Sequence, residues 1–176
     1  SIATGNFFSL ALCTDGTLAA WGLNNYNQLG DGTTYQKSLP VAIHNNGALA
    51  GHRAIAITAG ESHGGALCSD GTVVAWGSGW GSLPRRADTS SLAAHGRIIS
   101  LRSVRSSFLA LCEDGNIFTL EPSGITGPVD ATAFAGRKVV SIGAGYDASY
   151  ALCEDGSMFA WGENSQGQLG NGTLVA

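Results

Sequence analysis

Short apolar runs broken by Asp-Gly and Trp-Gly recur along the chain, and one run–turn–run unit is written four times. It reads ALCTDGTLAAWG at 11–22, ALCSDGTVVAWG at 66–77, ALCEDGNIFTLE at 110–121 and ALCEDGSMFAWG at 151–162. Asp-Gly between alternating apolar residues predicts a hairpin with a two-residue turn, because such a turn needs positive φ and Gly accepts it freely. A further apolar run precedes three of the hairpins: AIAITAG at 54–60, IISLRSV at 98–104 and VVSIGAG at 139–145, with the shorter SIATG at 1–5 before the first. These predict inner strands. After Trp-Gly a polar, glycine-rich loop follows, and in the first unit it leads to LPVAI at 39–43, whose proline places it at a sheet edge. Each unit therefore predicts a four-stranded antiparallel sheet made of an inner strand, a hairpin of two and an outer edge. One such sheet cannot bury both faces, whereas neighbours stacked face to face can.

The turn residues Asp15, Asp70, Asp114 and Asp155 stand 55, 44 and 41 residues apart, a spacing proper to propeller blades. Trp21, Trp76 and Trp161 fall at one register and are placed to fill the space between sheets; the third unit has Leu120 there, and Val104 where the others have Gly5, Gly60 and Gly145. The fold expected is all-β, a partial propeller of about four blades: blade 1 over 1–53, blade 2 over 54–97, blade 3 over 98–138 and an incomplete blade 4 over 139–176. Units differ in their loops. The first carries the long stretch TYQKSLPVAIHNNGALAGHR, the second a segment GSGWGSLPRRADTSS that reads as a shortened polar loop, and the third EPSGITGPVD. Length variation between strands maps to rim loops, where binding surfaces sit.

Composition agrees with this reading. Charged residues are 12% of the 176 and glycine supplies 26, a balance suited to tight turns rather than to helical surfaces. The net charge of −4 argues against nucleic acid, which needs a basic excess, although Arg85, Arg86, Arg97, Arg102 and Arg105 form a local basic group in the sequence. No apolar run is long enough to cross a bilayer, and SIATGNFF does not read as a signal peptide.

Candidate chemistry is sparse. The turn carboxylates are accounted for by hairpin geometry. Cys13, Cys68, Cys112 and Cys153 each stand two residues before a turn Asp, so repeat geometry holds them apart; they read as small buried residues rather than as disulfides or zinc ligands. His44, His52, His63 and His95 are scattered, and His63 reads as a structural hydrogen-bonding residue. No catalytic set, metal site or cofactor cradle is expected. The loop amides Asn24, Asn25, Asn27, Gln28, Asn164, Gln166, Gln168 and Asn171 are assigned to loop structure rather than to a ligand. The aromatics the repeat least requires are Tyr26, Tyr35, Trp80 and Tyr146, and the partner-binding candidates are Tyr26, Trp80 and Tyr146 together with Arg85 and Arg86. Trp80, flanked by small residues, is expected to be exposed beside the arginines, the composition of a binding hot spot.

The segments AWGLNNYNQLGDGT at 20–33 and AWGENSQGQLGNGT at 160–173 resemble the regulator-of-chromosome-condensation repeat, and TAGESHGGALCSDG at 58–71 and GAGYDASYALCEDG at 143–156 are similar to its second half. The resemblance is specific in units 1 and 4, partial in unit 2 and weak in unit 3. It implies a β-propeller, usually seven-bladed, used mainly as a protein-binding platform. Such an arc would be completed by self-association or by another chain segment. The expected function is non-enzymatic protein interaction. Alternatives are guanine-nucleotide exchange on a small GTPase, a lectin-like or cell-surface ligand-binding propeller, and a purely structural repeat. The GALAG spacer at 47–51 resembles bacterial members of the family and suggests an extracellular or cell-surface setting.

Overall fold

The computed structural model describes residues 1–44 and 47–175. Asn45 and Asn46, in the long stretch of the first unit, and Ala176, where the fourth unit was expected to stop, lie outside them. Four antiparallel sheets follow one another along the chain. The first holds β1 (Ile2–Thr4), β2 (Phe8–Leu12), β3 (Leu18–Gly22) and β4 (Lys37–Ala42). The second holds β5 (Ala54–Ala59), β6 (His63–Cys68), β7 (Val73–Gly77) and β8 (Gly81–Arg86). The third holds β9 (Ile98–Val104), β10 (Ser107–Cys112), β11 (Ile117–Glu121) and β12 (Gly124–Thr126). The fourth holds β13 (Val139–Ala144), β14 (Ala148–Cys153) and β15 (Met158–Gly162). In each sheet strands pair in chain order, the up-and-down pattern of a propeller blade. Short 3-10 segments at Ser90–His95 and Ala131–Phe134 link blades 2 to 3 and 3 to 4.

Two sequence expectations change. GSGWGSLPRRADTSS is not merely a polar loop: it contains the outer strand β8, with Pro84 on the unpaired edge where the missing N–H costs nothing. The Asp-Gly turns have three residues rather than two. Cys13 N–H bonds Thr17 O across the loop, Gly16 N–H returns to Cys13 O, and only the glycine takes positive φ (Gly16 +87°, Gly71 +89°, Gly115 +90°, Gly156 +85°). This is a turn closed by a left-handed residue. The Asp side chain caps the loop, as when Asp15 Oδ1 accepts from both the N–H (2.9 Å) and hydroxyl (2.7 Å) of Thr17.

The core lies between blades. Phe8, Leu10, Leu18 and Leu29 of blade 1 meet Ala66, Val74 and Trp76 of blade 2; Leu67, Val73 and Trp80 of blade 2 meet Leu101, Phe108 and Leu120 of blade 3; Leu109, Leu111 and Ile117 meet Ile142 and Ala151 of blade 4. Trp76 is fully buried and its Nε1–H donates to Gln28 O of blade 1 at 2.9 Å. Trp161 is half-buried against Phe134. Trp21, at the same register on the blade 1 face turned away from blade 2, is also half-buried. The same logic separates the cysteines. Cys68, Cys112 and Cys153 are buried in interfaces, while Cys13 is exposed, and all four are free thiols.

Candidate functional site

Antiparallel order puts the turn between first and second strands, and the segment that follows the third, at the same end of every blade. That end carries the candidate site. The first turns of the four blades are Gly5–Phe7, Gly60–Ser62, Val104–Ser106 and Gly145–Asp147. They are laced together across blades: Asn6 N–H donates to Gly60 O (3.4 Å), Glu61 N–H to Arg105 O (3.3 Å) and Arg105 N–H to Tyr146 O (3.1 Å). Together they line a depression of about 380 Å³ where the inner strands converge. One position past the glycine register, four successive blades offer Asn6, Glu61, Arg105 and Tyr146, all within this lining. Arg105 is ion-paired with Asp147. The Glu61 carboxylate, hydrogen-bonded to the Tyr146 hydroxyl, pushes that phenol above its ordinary range by favouring the protonated form. Tyr146 remains 59% exposed, so a large amphipathic ring is held ready at the rim of the depression.

A second cleft, about 320 Å³, opens between blades 2 and 3 and is lined by Trp80, Arg85–Asp88 and Leu120–Ile125. It brings together three of the sequence candidates, Trp80, Arg85 and Arg86, but not as expected. Trp80 is 3% exposed, not solvent-facing: its ring packs on Phe108 at 5.1 Å between centroids, and Nε1–H donates to Ser106 O. The small flanking residues let the indole fold inward rather than leave it in water. The exposed-indole anchor of a lectin-like reading goes with that correction. Arg86 is spent holding the blade 1–2 linker, through Ala48 O (3.0 Å) and Ala50 O (3.2 Å). Arg85 is exposed and, among the described residues, donates to Gly79 O at 3.3 Å. The other arginines do not join them: Arg97 forks onto Glu113, and Arg102 folds onto Leu101 O. Tyr26 stands apart from both depressions, 58% exposed on the blade 1 loop.

The loop amides are structural. Asn24 is fully buried; its Nδ2 donates to Asp31 Oδ1 and Thr33 O while its Oδ1 accepts from Leu29 N–H, and Asn164 repeats the arrangement with Asn171, Thr173 and Leu169. His63, also fully buried, bonds Ser107 O through Nε2, and burial pulls its pKa down to about 4. Burial pushes the Cys68 and Cys112 thiols up to about 11, away from nucleophilic use. Among the described residues no three His, Cys, Asp or Glu side chains gather as a metal site would require. Sequence reasoning found Tyr146 but missed Asn6, Glu61 and Arg105. Their signal was positional: the residue after the glycine register differs in every unit.

Two family models of the Regulator of chromosome condensation (RCC1) repeat match the chain, one over residues 1–28 and 139–168 and the other over 15–67. Among curated proteins, the mouse E3 ubiquitin-protein ligase HERC2 is 28% identical over 99% of this chain and 4% of its own length. An RCC1 repeat-containing protein of Dictyostelium discoideum is 31% identical over 68% of this chain and 27% of its own length. The chain thus spans less than a third of either relative. Among solved structures, yeast RCC1 (Prp20) bound to Kap60 superposes with a TM-score of 0.78 at 26% identity, covering 97% of this chain and 44% of that one. Prp20p from Saccharomyces cerevisiae, described with its binding properties to Gsp1p and histones, superposes equally well at 25% identity, over 97% of this chain and 45% of its own. These relatives are eukaryotic and lend no support to a bacterial, secreted origin.

Proposed function

Because the chain belongs to the RCC1 repeat family, we propose that it acts as a non-enzymatic protein-binding arc that reads its partner at the depression where the inner strands converge. One observation carries this reading: four equivalent turns, fixed to one another by backbone hydrogen bonds, present four chemically different side chains side by side. A rigid backbone with varied tips has little ordering cost to meet on association. Tyr146 supplies the amphipathic ring, Arg105 and Glu61 the charges of opposite sign, and Asn6 a neutral amide. Yeast RCC1 (Prp20) is seen bound to Kap60, which supports a protein partner, and no step of bond-making is assigned to these groups.

The test is direct. The chain and an Asn6→Ala/Glu61→Ala/Arg105→Ala/Tyr146→Ala variant are titrated against Kap60, Gsp1p and histones, the partners of the yeast relative. Binding of at least one, weakened tenfold or more in a variant of unchanged melting temperature, supports the reading. Binding that survives all four substitutions, or none to any of the three, rejects it. A second reading, carried by the resemblance, is nucleotide exchange on a small GTPase. Faster nucleotide release from a small GTPase in the presence of the chain would support it, and no acceleration across a panel would remove it.

A further inference from the structure

The blade 1–2 junction and the blade 2–3 junction are the same slot, filled in one case and open in the other. In the filled slot the long blade 1 loop lies across blade 2. Leu29 is buried beside Trp76, Gly30 O accepts from His44 N–H at 2.9 Å, and a Cβ on Gly30 would come within 2.8 Å of the Trp76 ring. Blade 2 has no such loop: only Ser78–Trp80 separates β7 from β8. Trp80 takes over Leu29's place in the interface core, but nothing takes the place of Gly30–Gly32. The cleft is lined by the counterparts of Trp76, Gly77, Ile43 and His44, against which that turn lies. Leu120 stands for Trp76 and Glu121 for Gly77 by strand register. Ala87 stands for Ile43, since Ala87 N–H bonds Val73 O as Ile43 N–H bonds Leu18 O, and Asp88 then stands for His44. Among the described residues the Asp88 amide has no hydrogen-bond partner. The opening is therefore a cast of a missing turn. Leu120 is smaller than an indole, so the occupant has room for a side chain that Gly30 cannot carry.

We propose that the cleft between blades 2 and 3 binds a short turn from a partner protein, seating an apolar residue on Trp80 and Leu120, a backbone carbonyl on the Asp88 N–H and a carboxylate on Arg85. The carboxylate is argued from the filled slot, whose turn carries Asp31 next to Gly30 and holds it against the Lys37 ammonium at 3.4 Å. Of the two exposed arginines at the open slot, Arg86 is held by the blade 1–2 linker carbonyls, and Arg85 has no carboxylate partner among the described residues. The proposal rests on the protein-binding reading but uses a different depression, so the two fail independently.

The probe is the chain's own turn. A cyclised QLGDGT peptide, the sequence of Gln28–Thr33, is titrated into isotope-labelled chain and followed by amide and indole resonances. The expected shifts fall on the Trp80 indole N–H and on the amides of Asp88, Gly124 and Ile125. They weaken about tenfold with Arg85→Ala, as loss of a charge-assisted hydrogen bond predicts. They vanish with Ser123→Trp, an exposed position at the lip of the cleft whose change leaves the interface core untouched. A QLGNGT peptide, the blade 4 version, binds more weakly than QLGDGT. Absence of shifts at millimolar peptide overturns the proposal. So do shifts centred on Asn6, Glu61 and Tyr146, or equal shifts from a peptide with its leucine replaced by aspartate.

Discussion

Replacing Trp76 by alanine separates packing between blades from packing within them. The indole is fully buried, so about 200 Å² leaves water on folding, worth about 5 kcal/mol at ~25 cal/mol/Å². A denatured chain that already hides part of that surface lowers the figure to about 4 kcal/mol. Losing the hydrogen bond to Gln28 O adds ~1 kcal/mol. A loss of about 4–5 kcal/mol corresponds to a fall in Tm of roughly 10–15 °C for a chain of this size. Trp21 occupies the same register of blade 1, on the face turned away from blade 2, and is half-buried, so Trp21→Ala is expected to cost about 1 kcal/mol. Trp161, half-buried on Phe134, falls between the two. Urea unfolding of the three variants, followed by far-UV circular dichroism, gives the ranking. Equal costs at Trp21 and Trp76 would refute the reasoning, because identical residues at identical register would then owe nothing to the blade next door.

Two further outcomes follow from titration and access. The folded pKa of His63, near 4, lies below the unfolded value of about 6.5, so the unfolded chain takes up the proton first and stability falls as pH drops from about 6.5 toward 4. The loss attributable to this residue totals about 3 kcal/mol, and His63→Phe should show a correspondingly flatter profile in urea titrations across that window. With Cys68, Cys112 and Cys153 in interfaces and Cys13 exposed, Ellman's reagent should titrate one thiol rapidly in the native chain and four in denaturant; rapid reaction of two or more native thiols would contradict the interface assignments.

The strands were readable because each hairpin repeats an alternation that only one sheet face-pair can satisfy. Val73 and Val74, adjacent in sequence and both buried, show why: one faces blade 3 and the other blade 1. What escaped the sequence was set by length and by neighbours. The outer strand expected of every unit is present in unit 2, but its place, β8, hid in a polar segment because an edge strand needs no apolar alternation. The Asp-Gly turn gained its third residue from a backbone bond, Cys13 N–H to Thr17 O, that composition does not encode. Trp80 was misplaced because small flanking residues are equally compatible with exposure and with folding inward; the deciding partner, Ser106 O, belongs to the next blade. Arg86 looked available for the same reason, its carbonyl partners lying 36 and 38 residues earlier.

The turns at Asn6, Glu61, Arg105 and Tyr146 are joined by main-chain hydrogen bonds that do not depend on which side chain stands at each tip, while at the surface Glu61 meets Tyr146 and Arg105 meets Asp147. Specificity can therefore be rewritten at the tips, Glu61 together with Tyr146, by codon changes that leave the main-chain ties in place. A repeat array built this way inherits a ready supply of new interaction partners without renegotiating how it folds.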